Sequence, residues 1–277
     1  MNDLRISYSN KAPIGILGCG WLGTALAKEL LEQGFKVRGT VRKPEKMQAL
    51  QKLGVDCFQL NLEETKLTGN IAFFDRLHSL IVCIPPGLRK NPSTNFIKKI
   101  EMLLPYIDPD TMGKTILTSS ISVYGPIRGT VDETTTPLPR TESGKQLLVV
   151  ENLLTEFFGN KMIKLRLGGL ISKDRHPIYS LAKKEIVQAS APVNLIHQTD
   201  AVNAIITILQ QPNKESLYNI VAPFHPSKKT YYSQLANQWQ LSLPNFTKGG
   251  ANNKRISSNR FLSEYSYVFK VEKLLIE

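Results

Sequence analysis

The chain has 277 residues, of which 42% are hydrophobic and 21% charged, enough apolar material for one large domain or two smaller ones. Its net charge of +12 is scattered, with nothing denser than pairs such as Lys98-Lys99, Lys183-Lys184 and Lys228-Lys229. With no arginine-rich tract, zinc-finger spacing or aromatic RNA-binding signature, this charge favours small anions such as phosphates and gives no ground for a nucleic-acid partner.

Taken in chain order, residues 1–11 are polar and are expected to form a loose terminus. They lack the apolar run of a signal peptide, and no later segment has the apolar length of a membrane span. A cytoplasmic protein with no membrane partner is expected. Ile14-Gly15-Ile16-Leu17 is too short for a helix and reads as a buried strand. It ends in Gly18-Cys19-Gly20-Trp21-Leu22-Gly23, and strong helix formers follow, with Leu26, Leu30 and Leu31 at helical spacing. Strand, glycine turn and helix in this order point to a dinucleotide. The first glycine allows the turn, the second lets backbone approach a pyrophosphate, and the third lets helix and strand pack closely. The alternative is a tight turn with no ligand.

Strands are expected at 35–41, 55–60, 77–84 and 114–118, with helices at 44–53 and 94–104 between them. Pro85-Pro86-Gly87 stops the strand at 77–84. Residues 125–142 form a turn-rich loop. A helix at 144–158 and a strand at 162–167 continue the alternation. Beyond Gly168-Gly169 the pattern loosens, with helices expected at 178–186, 200–210, 228–239 and 258–265 and a strand at 217–221. Alternating strands and helices predict an α/β fold with a doubly wound parallel sheet. Cys19, Cys57 and Cys83 lie in or beside these strands without metal-ligand spacing, so they read as reduced thiols and no metal is expected.

The second strand ends in Gly39-Thr40-Val41-Arg42-Lys43. An NAD protein places a carboxylate about 20 residues after the glycines to bond the ribose hydroxyls. None stands here. Arg42, and with it Thr40 and Lys43, could hold a 2′-phosphate, which favours NADP over NAD; otherwise Arg42 and Lys43 are simply solvated at a strand end.

Thr118-Ser119-Ser120-Ile121-Ser122-Val123-Tyr124-Gly125 resembles the motif after the fifth strand in extended short-chain dehydrogenases, the nucleotide-sugar epimerase and dehydratase group. Arg166-Leu167-Gly168-Gly169-Leu170-Ile171 is similar to that family's loop after its sixth strand. Residues 193–202 are similar to its late strand-to-helix motif, and Leu217-Tyr218-Asn219-Ile220 to its last core strand. The resemblance covers most of the chain. It implies a Rossmann-type domain of residues 11–168 plus 196–222, with a small substrate lobe of 169–195 plus 223–277. The substrate would sit between the strand edge and that lobe.

The resemblance places Ser120 at the catalytic serine and Asn61-Leu62 where adenine is met; the alternatives are that Ser119-Ser120 simply terminates the strand and that Asn61 is a loop asparagine making its own turn. Pro85-Pro86 would line the cofactor cleft or, equally, serve as a helix stop, and Gly168, Gly169 and Leu170 would lie near the nicotinamide. Arg175 and His176 follow the sixth strand and either bind an anionic substrate or lie on a solvated loop. Asp200 reads as a helix N-cap, with His197 structural beside it.

Two departures stand out. The glycines are spaced GxGxxG rather than the family's GxxGxxG. The family's catalytic Tyr, and the Lys four residues on, align with Ser143 and Leu147. A serine hydroxyl is a far weaker acid than a phenol near pKa 10. Lys145 does not stand in, because two residues turn a helix by about 200°. Tyr124 is the nearest phenol; the resemblance implies a structural role for it, and its service as a substitute acid is the alternative. The expected protein is therefore an NADP-preferring oxidoreductase or epimerase-like protein acting on a small anionic or nucleotide-sugar-like molecule. The rival is a non-catalytic NADP sensor. A homodimer is left open.

Overall fold

The computed structural model describes residues 12–181, 184–247 and 253–274. The expected loose terminus at 1–11, and residues 182–183 of the expected helix at 178–186, lie outside them. β1 (Ile14–Leu17) leads through the glycine loop into α1 (Trp21–Glu32) and β2 (Val37–Val41). A 3-10 turn at Pro44–Lys46 precedes α2 (Met47–Lys52), followed by β3 (Asp56–Leu62) and β4 (Leu67–Gly69). Next come β5 (Ser79–Val82), α3 (Phe96–Glu101) and β6 (Lys114–Ser120). A 3-10 turn at Ile121–Tyr124, β7 (Thr130–Val131), α4 (Glu142–Phe158) and β8 (Met162–Leu167) continue the chain. Then follow β9 (Gly169–Ile171), α5 (Ile178–Leu181), β10 (Glu185–Ile186), β11 (Leu195–His197) and α6 (Gln198–Gln210). The chain closes with β12 (Leu217–Ile220), α7 (Lys228–Gln238), β13 (Asn245–Phe246), β14 (Arg255–Ile256) and α8 (Asn259–Tyr265).

Eight strands form one mostly parallel sheet in the order β12-β8-β6-β5-β1-β2-β3-β4. This is the Rossmann-type α/β architecture. No described helix is long and apolar enough to cross a membrane. The chain divides into two compact units: 1–119 with 145–164 and 208–216, and 120–144 with 165–207 and 217–277. The second unit thus takes in 120–144, 165–168, 196–207 and 217–222, segments that the sequence places with the nucleotide-binding domain.

In the first unit β1 pairs in parallel with β2 on one side and β5 on the other, with Ile14 opposite both Val37 and Ser79. β3 adds beyond β2 and β6 beyond β5. Strand order therefore reverses at β1, where open α/β sheets bind ligands beyond the carboxyl ends of their strands. Leu26, Ala27 and Leu30 are fully buried, so α1 lays one apolar stripe on the core. β3 runs two residues past the expected 55–60 because β4 returns antiparallel to it, with Asn61 opposite Thr68 and Leu62 opposite Leu67. Asn61 and Leu62 are thus ladder residues, a correction to their expected place in a loop.

In the second unit β9 pairs with β11, β7 with β14, and β10 with β13, all in parallel. The expected helix at 178–186 stops at Leu181, and Glu185–Ile186 is a strand that puts Ile186 into the core. That core gathers Ile171, Ile178, Val193, Leu195, Tyr231 and Leu235. Asp200 lies inside the first turn of α6 rather than at its cap. Its fully buried carboxylate accepts from the Lys270 and Val271 amides at 2.7 and 2.9 Å and holds the C-terminal segment.

Candidate functional site

The glycine loop lies at the strand-order reversal. Gly18 adopts φ +102°, which favours glycine, and a Cβ there would meet Ile84 beyond β5. Its N–H donates to the Thr40 Oγ1 at 2.8 Å, the Cys19 N–H to the Thr40 carbonyl at 2.8 Å, and the Gly20 N–H to the Gly18 carbonyl at 2.8 Å. Gly20 is the N-cap of α1, exposed and with no side-chain cap. A Cβ on Gly20 would find no atom within 4 Å, whereas one on Gly23 would lie 2.3 Å from the Gly18 carbonyl oxygen. The third glycine is a packing requirement. The second leaves open space before a helix start.

The first helical bond runs from the Thr24 N–H to the Gly20 carbonyl, so the N–H groups of Leu22 and Gly23 precede the ladder. Such groups, with the helix dipole behind them, form an anion seat. These features fit a pyrophosphate: bare backbone, room at Gly20 and an uncapped helix start. Burial pushes the Cys19 thiol up to about 12, so it is a neutral part of the wall.

At the end of β2, Arg42 and Lys43 are exposed, and Lys43 pairs with Glu45 at 3.6 Å. Among the described residues no carboxylate pairs with Arg42. Thr40 is 3% exposed and its hydroxyl is engaged with Gly18, so its expected contact with a 2′-phosphate is corrected: it holds the loop instead. Asn61 donates to Glu63 at 2.8 Å from within the β3–β4 hairpin. Pro85 is exposed and Pro86 half-buried just past β5. Gly168 donates to the Ile220 carbonyl at 3.0 Å and Gly169 to that of Asn194 at 2.9 Å, so Gly168 and the β9 residues Gly169 and Leu170 serve the second unit's ladders.

Ser120, half-buried at the end of β6, accepts from the Ser122 N–H at 3.2 Å and so starts the 3-10 turn. That turn delivers Tyr124 into the interior. Tyr124 is 0% exposed, donates to the Asn219 Oδ1 at 2.9 Å, and lies under the Arg166 guanidinium, 4.7 Å from its ring centre. Burial raises its pKa above the usual phenol range. The expectation that it replaces the missing acid is therefore corrected: a sealed phenol cannot reach a substrate oxygen.

On α4, Ser143 is half-buried, Lys145 exposed, and Leu147 only 4% exposed among core side chains. One turn beyond Leu147, the buried Glu151 accepts from the Ser119 hydroxyl at 2.6 Å, tying α4 to β6. No periodicity in the sequence signals this pair, since a glutamate on a helix ordinarily faces water.

Arg175 is exposed in the turn after β9. His176 is not a surface ligand: it is 5% exposed, its Nε2 is 2.9 Å from the Tyr231 hydroxyl, and its Nδ1 accepts from the Ile178 N–H. Burial depresses it to about 4, so it is neutral at pH 7 and serves the aromatic core. This corrects its expected role in binding a substrate anion. His197 accepts from the Thr199 N–H at 3.2 Å and so caps α6.

The model of the family described as NADP oxidoreductase, coenzyme F420-dependent, matches residues 13–74, the segment holding the glycine loop and the end of β2. Among solved structures, a conserved protein of unknown function from Silicibacter pomeroyi DSS superposes with TM-score 0.76 at 19% identity, covering 95% of this chain and 96% of that one. The UDP-glucuronic acid 4-epimerase of Bacillus cereus, solved with NAD, gives TM-score 0.75 at 18% identity, covering 94% of each chain. The fold is thus that of NAD(P)-binding oxidoreductases and epimerases. Protein YeeZ of Escherichia coli strain K12 is 32% identical over 271 residues, 95% of this chain and 97% of that protein. The chain belongs to the YeeZ family.

Proposed function

We propose that the protein binds NADP in preference to NAD at the glycine loop. In this reading it is an oxidoreductase or epimerase-like protein for a small anionic or nucleotide-sugar-like substrate, working without the Tyr/Lys pair. The observation that carries the cofactor choice is the end of β2, where Arg42 is exposed and, among the described residues, no carboxylate pairs with it. A carboxylate there would bond ribose hydroxyls and repel a 2′-phosphate, whereas a guanidinium pairs with it through charge-assisted bonds. When bound, the dinucleotide supplies hydride transfer. The chain supplies the seat: backbone at Gly20, the start of α1, and Arg42 for the phosphate. The net charge of +12 favours an anionic substrate, and the likeness to a UDP-glucuronic acid 4-epimerase supports the nucleotide-sugar class. Residues 169–195 and 223–277 form the proposed substrate lobe, and a cytoplasmic location belongs to the same reading.

Calorimetric titration tests it. NADPH should bind more tightly than NADH, and Arg42→Ala should remove most of a gap worth about 1.5–3 kcal/mol. Equal affinities in the unmutated protein contradict the preference. The burial of Leu147 and Tyr124 favours a second reading, a dinucleotide sensor that keeps the seat and lacks the acid.

A further inference from the structure

We propose that Gly39-Thr40 of β2 positions the glycine loop for its cofactor, with the Thr40 hydroxyl as the acting group. The inference rests on the dinucleotide being bound at that loop. The chain leaves β1 after Leu17, whose carbonyl is taken by the Cys83 N–H at 2.9 Å. From there it must turn into α1 within three residues, and the next two N–H groups need acceptors outside the loop. Thr40 provides both: its side-chain oxygen for Gly18 and its main-chain oxygen for Cys19, each at 2.8 Å. The main-chain bond would form with any residue at position 40. The side-chain bond requires a hydroxyl, and it is the one that holds Gly18 at φ +102°.

Gly39 makes the third contact. A Cβ there would lie 2.5 Å from the Cys19 Sγ, 3.0 Å from the Val55 Cγ1 and 3.9 Å from the Cys19 Cβ, so the thiol is seated directly on bare β2 backbone. The loop is thereby pinned at Gly18 and Cys19, the residues immediately before the open Gly20. Where they are held decides where Gly20 and the first N–H groups of α1 face. Loss of the hydroxyl would strand a Gly18 N–H in a part-buried place, and the loop would turn to satisfy it elsewhere.

The consequence separates this role from that of a phosphate ligand. A residue that sets the pyrophosphate seat acts on NADPH and NADH alike, because both carry the pyrophosphate. A residue that touches the 2′-phosphate changes NADPH alone.

The experiment is calorimetric titration of both nucleotides into the wild type, Thr40→Val and Thr40→Ser, with far-UV circular dichroism as the check on folding. Thr40→Val should weaken both by about tenfold or more, leaving their ratio unchanged, and Thr40→Ser should stay within about threefold of the wild type. Wild-type affinity in a folded Thr40→Val, a loss confined to NADPH, or an equal loss in Thr40→Ser would each overturn the proposal. If Thr40→Val does not fold, Gly39→Ala takes its place. It should weaken both nucleotides, and adding Cys19→Ala should recover most of the loss, since removing Sγ leaves only the Val55 Cγ1 tip at 3.0 Å, a side-chain end that can give by a few tenths of an ångström. Undiminished binding in Gly39→Ala, or no recovery in the double variant, overturns it. A wild type that binds neither nucleotide would overturn the cofactor reading itself, a different result from any of these.

Discussion

A Cβ added to Gly23 would sit 2.3 Å from the carbonyl oxygen of Gly18, closer than any packed carbon can approach. Helix α1 meets the end of β1 only because position 23 has no side chain. The obstacle is backbone, which cannot swing aside as a side-chain tip can. Gly23→Ala should therefore cost about 1–3 kcal/mol of stability in urea denaturation, as overpacked sites do. Gly20→Ala, entering open space, should stay within about 1 kcal/mol of the wild type. Equal stability for the two variants would show that the loop yields at Gly23.

His176 gives the fold an acid-side dependence. Burial lowers it from 6.5 to about 4, so the unfolded chain binds its proton more readily. Its contribution is complete above pH 6.5 and is lost as pH falls toward 4. His197 and His225 are also lowered, burial being the largest cause, and add in the same direction. Unfolding free energy should fall between pH 7 and pH 5, and His176→Asn should flatten that fall while lowering stability at pH 7. An unchanged slope in His176→Asn would remove His176 as its source.

Chemistry at the α4 positions should be weak. Neither Ser143 nor the buried Leu147 supplies a tuned phenol, and Tyr124 is sealed against Asn219. General acid–base catalysis contributes about 10²–10⁴ in rate, so turnover of ordinary carbonyl compounds and nucleotide sugars should lie at least about a hundredfold below a Tyr/Lys enzyme. A substrate panel with NADPH or NADP measures it. An ordinary enzymatic rate on any member would eliminate the sensor reading and require an acid other than Tyr124.

The glycine loop was legible because its residues report backbone demands: Gly18 needs a positive φ, Gly20 openness and Gly23 close approach. The β1–α1–β2 order followed from Ile14–Leu17 and the leucines of α1 for the same local reason. β4 was not legible. Leu67–Gly69 is too short for an alternating pattern and exists because β3 offers it an edge. Glu185–Ile186 looked helical because its strand partner, Asn245–Phe246, is about 60 residues away in sequence. Side-chain partners were the least legible. Thr40, Tyr124 and His176 are polar residues near the expected site, and only tertiary structure decides whether a hydroxyl or imidazole faces a ligand or the core.

The central claim, that a dinucleotide sits on the bare backbone at Gly20, is tested most directly by calorimetric titration of NADPH into the wild type and Gly20→Val. A Cβ at Gly20 finds open space, so the variant should fold, while its side chain would fill the room the pyrophosphate needs. The account predicts a clear binding isotherm for the wild type and none for Gly20→Val, with both showing the same circular dichroism. Unchanged affinity in a folded Gly20→Val would contradict it.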